Sequence, residues 1–84
     1  MSDSLPRLYV KTGCPWCAEA IEVLNQNKVS YDQRNVTTDP RAYDEMVKLS
    51  GQSKAPTFDW HGEILSDFGA VELRPFLKKH GALR

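Results

Sequence analysis

The two cysteines of this 84-residue chain stand three positions apart, at Cys14 and Cys17, between an apolar run and a helical pattern. The apolar run is Leu8-Tyr9-Val10, which predicts a short strand. The first turn of a helix exposes unpaired N–H groups and carries partial positive charge, so a thiolate placed there is stabilised. Pro15 suits the first helical position, because its fixed φ fits the helix and its missing N–H costs nothing there. The pattern therefore predicts a reactive Cys14 thiolate at the start of a helix, with Cys17 about one turn later.

A disulfide between Cys14 and Cys17 would close a very short ring, and such a ring adds little stability through chain entropy. A disulfide that works in catalysis is therefore favoured over a structural one. A zinc site is a second interpretation, but zinc needs four ligands, and only His61 and His80 are available, at no zinc-finger spacing. An inert buried pair of thiols is a third interpretation, and the position at the start of a helix argues against it. We expect no bound metal.

The composition narrows the class of protein. A chain of 84 residues with 40% hydrophobic residues predicts one globular domain, residues 1–84. The 11 basic and 11 acidic residues cancel, so no basic field is expected that would hold nucleic acid or an anionic membrane. No signal peptide or membrane span is recognisable. Beyond Cys14 and Cys17 there are no cysteines that could form the disulfide framework of a secreted protein. A cytoplasmic location is the simplest expectation.

The apolar periodicity predicts seven elements in the order β-α-β-α-β-β-α. We expect strands near residues 8–10, 29–36, 58–60 and 63–65, and helices near 15–27, 40–50 and from about 66–69 to 80. The first two strands should be parallel, since a strand–helix–strand unit connects right-handedly. His61-Gly62 is a turn signal for an antiparallel hairpin. The prediction is an α/β fold, with helices on the faces of a four-stranded mixed sheet.

The two later helices have predicted inner faces and ends. Asp39 should cap the second helix with Pro40 at its first position, and Gly51 should end it. We expect a kink or a restart at Pro75 in the third helix, because proline removes a helix hydrogen bond. The predicted inner faces are Tyr43, Met46, Val47 and Ser50 in the second helix and Leu73, Phe76, Leu77 and His80 in the third.

Four stretches give the chain a resemblance to the glutaredoxin family that spans about residues 7 to 80. They are residues 8–17 with the Cys14-Pro-Trp-Cys17 motif, the Ser50-Gly51-Gln52 turn, the Ala55-Pro56 pair and the His61-Gly62 turn. The resemblance implies a thioredoxin-like fold and thiol–disulfide exchange. It also implies glutathione as the reductant and co-substrate.

The resemblance implies a role for each matching residue around residues 11–17, which we call the reactive turn. Cys14 matches the family's nucleophile and Cys17 its resolving thiol. Trp16 stands where the family usually has tyrosine and is expected to form an exposed aromatic lip. Lys11 matches a basic residue before the turn, where it would stabilise the thiolate or meet a carboxylate. Pro56 matches the cis-proline that faces the disulfide.

A second set of residues would contact glutathione or a substrate peptide. Ala55 stands where the family usually has valine, and its backbone can pair with a bound peptide. Lys54 stands where the family usually has threonine, and Ser66-Asp67 replaces the usual Gly-Gly pair. Tyr43 occupies the place of the usual arginine or glutamine of the second helix, so Arg41 is the candidate substitute.

Several of these residues also have a plain structural interpretation. Asp67 is most simply the N-cap of the last helix, and otherwise a neighbour of bound glutathione. Lys11, Arg41 and Lys54 are otherwise solvated surface charges.

The acidic residues that hold the glutamyl end of glutathione in the family are replaced here by Gly69-Ala70.

Three functional hypotheses follow. In the first, the protein reduces disulfide-containing or glutathionylated proteins, and glutathione recycles it. In the second, a thioredoxin-type reductase supplies the electrons. In the third, the protein is a carrier of a [2Fe–2S] cluster held between two chains by the first cysteine and glutathione, which the rigid Pro15 argues against. No nucleic-acid or membrane partner is expected, and we expect a monomer.

Overall fold

The computed structural model describes residues 5–82, and the elements follow the predicted order. The helices account for the long amphipathic stretches, and the strands are each four residues long. The elements are β1 (Arg7–Val10), α1 (Pro15–Gln26), β2 (Asp32–Asn35), α2 (Pro40–Ser50), β3 (Thr57–Trp60), β4 (Glu63–Ser66) and α3 (Ala70–Lys79).

The four strands form one mixed sheet in the order β2-β1-β3-β4. The parallel pairing of β1 with β2 is confirmed, and β3 runs antiparallel to both of its neighbours. The apolar residues of β1 place it in the middle of the sheet, while the polar β2 lies at an edge, as its alternation predicted. β2 begins later than predicted because Val29 is tied to the end of α1, its N–H donating to the carbonyl of Leu24 at 2.9 Å.

Alternate side chains of β1 enter two separate cores, as the period of a strand requires. Leu8 and Val10 pack with α1 and α3, and Tyr9 packs with α2. The first core contains Leu8, Val10, Cys17, Ala20, Val23, Leu24, Phe58, Phe68, Leu73, Phe76 and Leu77, and the second contains Tyr9, Val36, Ala42 and Met46. The reactive turn therefore leaves β1 between two packed faces.

The inner face of α2 differs from the prediction. The helix buries Ala42 and Met46, one turn apart, and leaves Tyr43 39% exposed. Ala42 and Met46 share the helix face that packs with Tyr9 in the second core, and Tyr43, one position after Ala42, points away from that face. The predicted ends are confirmed, since Asp39 caps the first turn and Gly51 ends the helix at φ +71°.

The start of α3 also differs from the prediction. The N-cap is Gly69, so the interpretation of Asp67 as the cap is wrong. Asp67 lies two residues earlier at φ +52°, and its carboxylate pairs with Lys54 at 3.8 Å. α3 continues through Pro75 without a restart, because Pro75 and Val71, the residue whose carbonyl loses its partner, are both on the exposed side.

Among residues 5–82, no helix combines the length and the apolar character that crossing a membrane requires.

Candidate active site

The end of β1 and the start of α1 place Cys14 at the helix N-cap. Its backbone is extended, and its sulfur accepts the backbone N–H of Cys17 at 3.2 Å. Pro15 occupies the first helical position, as predicted. Gly13 makes the turn at φ +74°, a conformation that favours glycine. The sulfur therefore lies where the first amides of α1 converge.

Two hydrogen bonds join the reactive turn to the end of β2, and a third orders the end of β2 itself. The N–H of Thr12 donates to the hydroxyl of Thr37 at 3.1 Å, and the amide of Asn35 donates to the hydroxyl of Thr12 at 3.1 Å. The N–H of Thr37 donates to Asn35 at 2.8 Å and closes the set. We call Thr12, Asn35 and Thr37 the turn clamp. The sequence did not predict the turn clamp, because its one visible sign was a run of polar residues at the end of the predicted second strand.

Burial distinguishes the two thiols, both of which are free. Cys14 is half-buried, and Cys17 is only 3% exposed in the core beneath it. Burial first, and then the hydrogen bond with Cys14, raises the pKa of Cys17 to about 12. Cys17 therefore stays protonated at neutral pH, next to a sulfur that accepts an N–H.

The Ala55–Pro56 pair lies opposite Cys14 and has the predicted cis peptide bond. The carbonyl oxygen of Ala55 is 4.0 Å from the sulfur of Cys14. Pro56 is buried, and its carbonyl accepts the backbone N–H of Asp67 at 2.9 Å. This bond brings the segment before α3 next to the reactive cysteine.

A cavity of about 330 Å³ lies beside Ala55, and we call it the Trp16 groove. Trp16 is 58% exposed, as expected for an aromatic lip. Its Cδ1 atom lies 3.2 Å from the point where a Cβ on Gly69 would stand, so the missing side chain at residue 69 makes room for the indole. The groove is lined by Trp16, Ala55, Asp67, Phe68, Gly69 and Glu72.

Two carboxylates already occupy backbone donors at the start of α3. The N–H of Gly69 donates to Glu72 Oε1 at 2.8 Å, and the N–H of Ala70 donates to Glu19 Oε1 at 3.4 Å. Sequence reasoning missed both contacts. The spacing of Gly69 and Glu72 is that of a capping box, and this spacing could have predicted the contact between them. Glu19 belongs to α1, and nothing in the sequence predicted its contact with Ala70.

The other predicted site residues lie elsewhere. Lys11 is exposed and lines a second cavity of about 460 Å³ that reaches Cys14 from the side of β2. Arg41 is exposed at the start of α2 and lines neither cavity. Ser66 pairs with Thr57 at the end of the hairpin. The Trp16 groove thus brings together Trp16, Ala55 and Asp67, with Lys54 paired to Asp67, while Cys14 and Cys17 line the second cavity with Lys11.

Within residues 5–82, no three His, Cys, Asp or Glu side chains are grouped so as to hold a metal ion.

Comparison with known proteins places the chain among glutaredoxins. The glutaredoxin family model matches residues 7–65. The chain is also 30% identical over 73 residues to an uncharacterised glutaredoxin-like 8.6 kDa protein from the rubredoxin operon of Clostridium pasteurianum. That match covers 87% of this chain and 97% of the relative.

Solved structures show the same fold. The thioredoxin-like protein BC3987 superposes with a TM-score of 0.79 at 26% identity, over 86% of this chain and 99% of that one. A glutaredoxin from Archaeoglobus fulgidus gives 0.78 at 14% identity, over 89% and 87% of the two chains. A buckwheat glutaredoxin in complex with glutathione gives 0.67 at 16% identity, over 93% and 71%. These likenesses confirm the predicted thioredoxin-like fold. Because the family model covers both the Cys14-Pro-Trp-Cys17 turn and the Ala55–Pro56 bond, the chain belongs to the glutaredoxin family.

Proposed function

We propose that the protein is a thiol–disulfide oxidoreductase that reduces disulfide bonds in other proteins, with Cys14 as nucleophile and Cys17 as resolving thiol. One observation carries the proposal. The sulfur of Cys14 accepts the N–H of Cys17 at 3.2 Å at the start of α1, and Cys14 lines the open cavity that Lys11 also lines. A donated hydrogen bond and the positive end of a helix both favour a thiolate at that atom.

The exchange takes two steps. The Cys14 thiolate attacks one sulfur of the substrate disulfide, that bond breaks, and the other sulfur leaves as a thiolate that takes a proton from water. Cys17 then gives up its proton to water and attacks the sulfur of Cys14, so the mixed disulfide breaks and the second substrate sulfur leaves as a thiolate that takes a proton from water. The substrate gains two electrons, and the protein is left with a Cys14–Cys17 disulfide.

Glutathione is the proposed reductant of this disulfide. Two glutathione molecules would reopen it and leave as glutathione disulfide. With a glutathionylated protein, the glutathionyl group passes to Cys14, and a second glutathione releases it. Family membership supports this proposal, and the buckwheat relative has been solved as a glutathione complex. The proposed binding residues are Lys11, Trp16, Arg41, Lys54, Ala55, Pro56, Ser66 and Asp67.

Single cysteine variants test the two roles. Cys14→Ser should abolish both the reduction of protein disulfides and deglutathionylation. Cys17→Ser should abolish the first reaction and retain the second, because glutathione can replace the resolving thiol. The measurement is NADPH consumption with glutathione reductase, using a glutathionylated protein as substrate. Complete loss of deglutathionylation in Cys17→Ser would contradict these roles.

A thioredoxin-type reductase is the second candidate electron donor, and one observation favours it. Glu72 and Glu19 occupy the N–H groups of Gly69 and Ala70, so a glutathione carboxylate at the start of α3 would meet like charges instead of free donors. The test compares NADPH consumption with glutathione and its reductase against consumption with thioredoxin reductase. Turnover with thioredoxin reductase alone would replace glutathione in the proposal.

A further inference from the structure

The Trp16 groove presents an aromatic face to solvent next to the reactive sulfur. Trp16 is 58% exposed, although it sits in the first turn of α1, beside Cys14. Gly69 offers no side chain that would cover the indole. Aromatic faces, and tryptophan above all, attract ammonium and guanidinium groups. An exposed indole at this position therefore favours a cationic ligand.

Carboxylates surround the same opening. Asp67 and Glu72 line the groove, and Glu19 reaches the adjoining start of α3. Within residues 5–82, the one cation paired with these three groups is Lys54, whose side chain is 72% exposed and whose ammonium is 3.8 Å from the Asp67 carboxylate. An exposed pair at that distance contributes little and is readily exchanged for another cation. The local field therefore favours a positive charge.

The carboxylates are also held in position. Glu72 accepts the N–H of Gly69 at 2.8 Å, and Glu19 accepts the N–H of Ala70 at 3.4 Å. An incoming anion would have to displace a bound carboxylate from these N–H donors. A cation is attracted by the carboxylates and leaves both hydrogen bonds intact. We propose that the Trp16 groove binds the side chain of a lysine or arginine next to the reactive cysteine of the substrate protein. The inference rests on the proposed function and narrows its substrates to disulfides with a basic neighbour.

The geometry connects the groove to the reaction. Ala55 lines the groove, and its carbonyl oxygen lies 4.0 Å from the sulfur of Cys14. A cavity of about 330 Å³ accommodates one long basic side chain. A substrate whose sulfur reaches Cys14 thus brings its neighbouring residue to Trp16. Asp67, Glu72 and Trp16 act on substrate affinity, and the two-electron exchange itself is unchanged.

The test uses three symmetrical disulfides: cystamine, which is cationic, bis(2-hydroxyethyl) disulfide, which is neutral, and 3,3′-dithiodipropionate, which is anionic. The rate at which each oxidises the reduced protein is measured by acid quench and mass spectrometry. Each rate is divided by the rate of N-acetylcysteine with the same disulfide, which removes intrinsic reactivity. We expect the normalised rate to be highest for cystamine and lowest for dithiodipropionate, with the difference shrinking as salt is raised.

Three variants locate the effect. Asp67→Asn and Glu72→Gln remove charge but keep an oxygen acceptor, so the contact with Gly69 can persist. Each should lower the cystamine-to-dithiodipropionate ratio roughly 25-fold, because one unit charge about 4 Å away in water changes each of the two rates about fivefold and in opposite directions. Trp16→Leu should lower the ratio as well. The matched control is Glu22→Gln, an exposed carboxylate of α1 that lines neither cavity, and it should keep the original ratio.

The outcomes separate this inference from the proposed function. An unchanged ratio in the Asp67→Asn, Glu72→Gln double variant, or a normalised rate that is highest for dithiodipropionate, would overturn the inference while leaving the oxidoreductase intact. Failure of the reduced protein to react with any of the three disulfides would overturn the proposed function itself.

Discussion

Cys14 and Cys17 have the same side chain, and their surroundings give them different chemistry. Cys14 is half-buried at the N-cap, where its sulfur accepts an N–H, while Cys17 is in the core with a pKa raised to about 12. In the proposed reaction, Cys17 with this pKa would remain protonated until a mixed disulfide forms on Cys14. The substrate would therefore be engaged before Cys17 becomes a nucleophile.

The raised pKa of Cys17 gives the first test at the scale of a residue. At neutral pH we expect iodoacetamide to modify Cys14 and to leave Cys17 unmodified, because Cys17 is buried and protonated. In the Cys14→Ser variant, burial still disfavours the Cys17 thiolate. Its labelling rate, followed by mass spectrometry, should therefore keep rising with pH above 9.0, the ordinary pKa of a cysteine thiol. A plateau near the ordinary pKa of 9.0 would contradict this expectation.

The local sequence predicted some single residues and misled on others. The reactive turn was predictable because Cys14, Pro15 and Trp16 act through the helix that follows them directly. Asp67 was not, because its position depends on a hydrogen bond to Pro56 and an ion pair with Lys54, both distant along the chain. An aspartate shortly before a helix looks like a cap, and only the fold shows that Gly69 takes that place.

At the scale of elements, the turn clamp connects β2 to the reactive turn. Thr37→Val removes the hydroxyl that accepts the N–H of Thr12 while keeping the shape of the side chain. Loss of about 1 kcal/mol from this bond should lower the rate of Cys14 alkylation by up to about fivefold, because the turn is less often ordered. The measurement is the iodoacetamide reaction at neutral pH.

The neighbouring threonine supplies the control for the clamp. The hydroxyl of Thr38 donates to the carbonyl of Asn35, at 3.5 Å, and does not accept the N–H of Thr12, so Thr38→Val should leave the alkylation rate of Cys14 unchanged. Thr37→Ser retains the hydroxyl and should restore most of the rate. Equal rates for Thr37→Val and Thr38→Val would show that the clamp does not position Cys14.

The order of the elements followed from sequence, and their exact packing did not. Helix caps are local signals, so Asp39 and Gly51 marked α2 correctly. The rotation of α2 depends instead on which of its residues pack with Tyr9 in the second core, and Tyr9 is far away in sequence. The same limit applies to Glu19, whose contact with Ala70 joins α1 to α3 across 51 positions.

At the scale of the whole molecule, we expect the stability of the fold to fall at alkaline pH because of two buried acidic groups. They are the thiol of Cys17 and the phenol of Tyr9, which lie in the two separate cores. Burial raises the pKa of Cys17 from 9.0 to about 12, and burial also raises the pKa of Tyr9 above 10.0. Both groups lose their protons more easily in the unfolded chain. Their contribution to stability is therefore fully present below about pH 9 and is lost as pH rises towards about 12.

Urea unfolding at a series of pH values measures this effect. We expect the free energy of unfolding to fall from about pH 9 upward, and to fall less steeply in Cys17→Ala and in Tyr9→Phe. Tyr43→Phe, at an exposed tyrosine of α2, is the control and should keep the original slope. A slope that neither core substitution changes would contradict the assignment.

Other whole-molecule expectations stay predictions. A single domain over residues 1–84 and a cytoplasmic location are expected from length, composition and cysteine usage, and a monomeric state is a separate expectation. Analytical ultracentrifugation of the full chain tests the monomeric state, and we expect the sedimentation coefficient of a single chain.

The exposed position of Trp16 has a practical consequence. This indole sits in the turn that carries both sulfurs, whereas the other tryptophan, Trp60, is half-buried among Phe58, Phe76 and His80. Emission from an indole depends on neighbouring quenchers and on water, so opening and closing of the sulfur–sulfur bond should modulate the light from Trp16 over a steady background from Trp60. Trp16 is thus an intrinsic fluorescent probe, and its emission should report the oxidation state of the protein without any added dye.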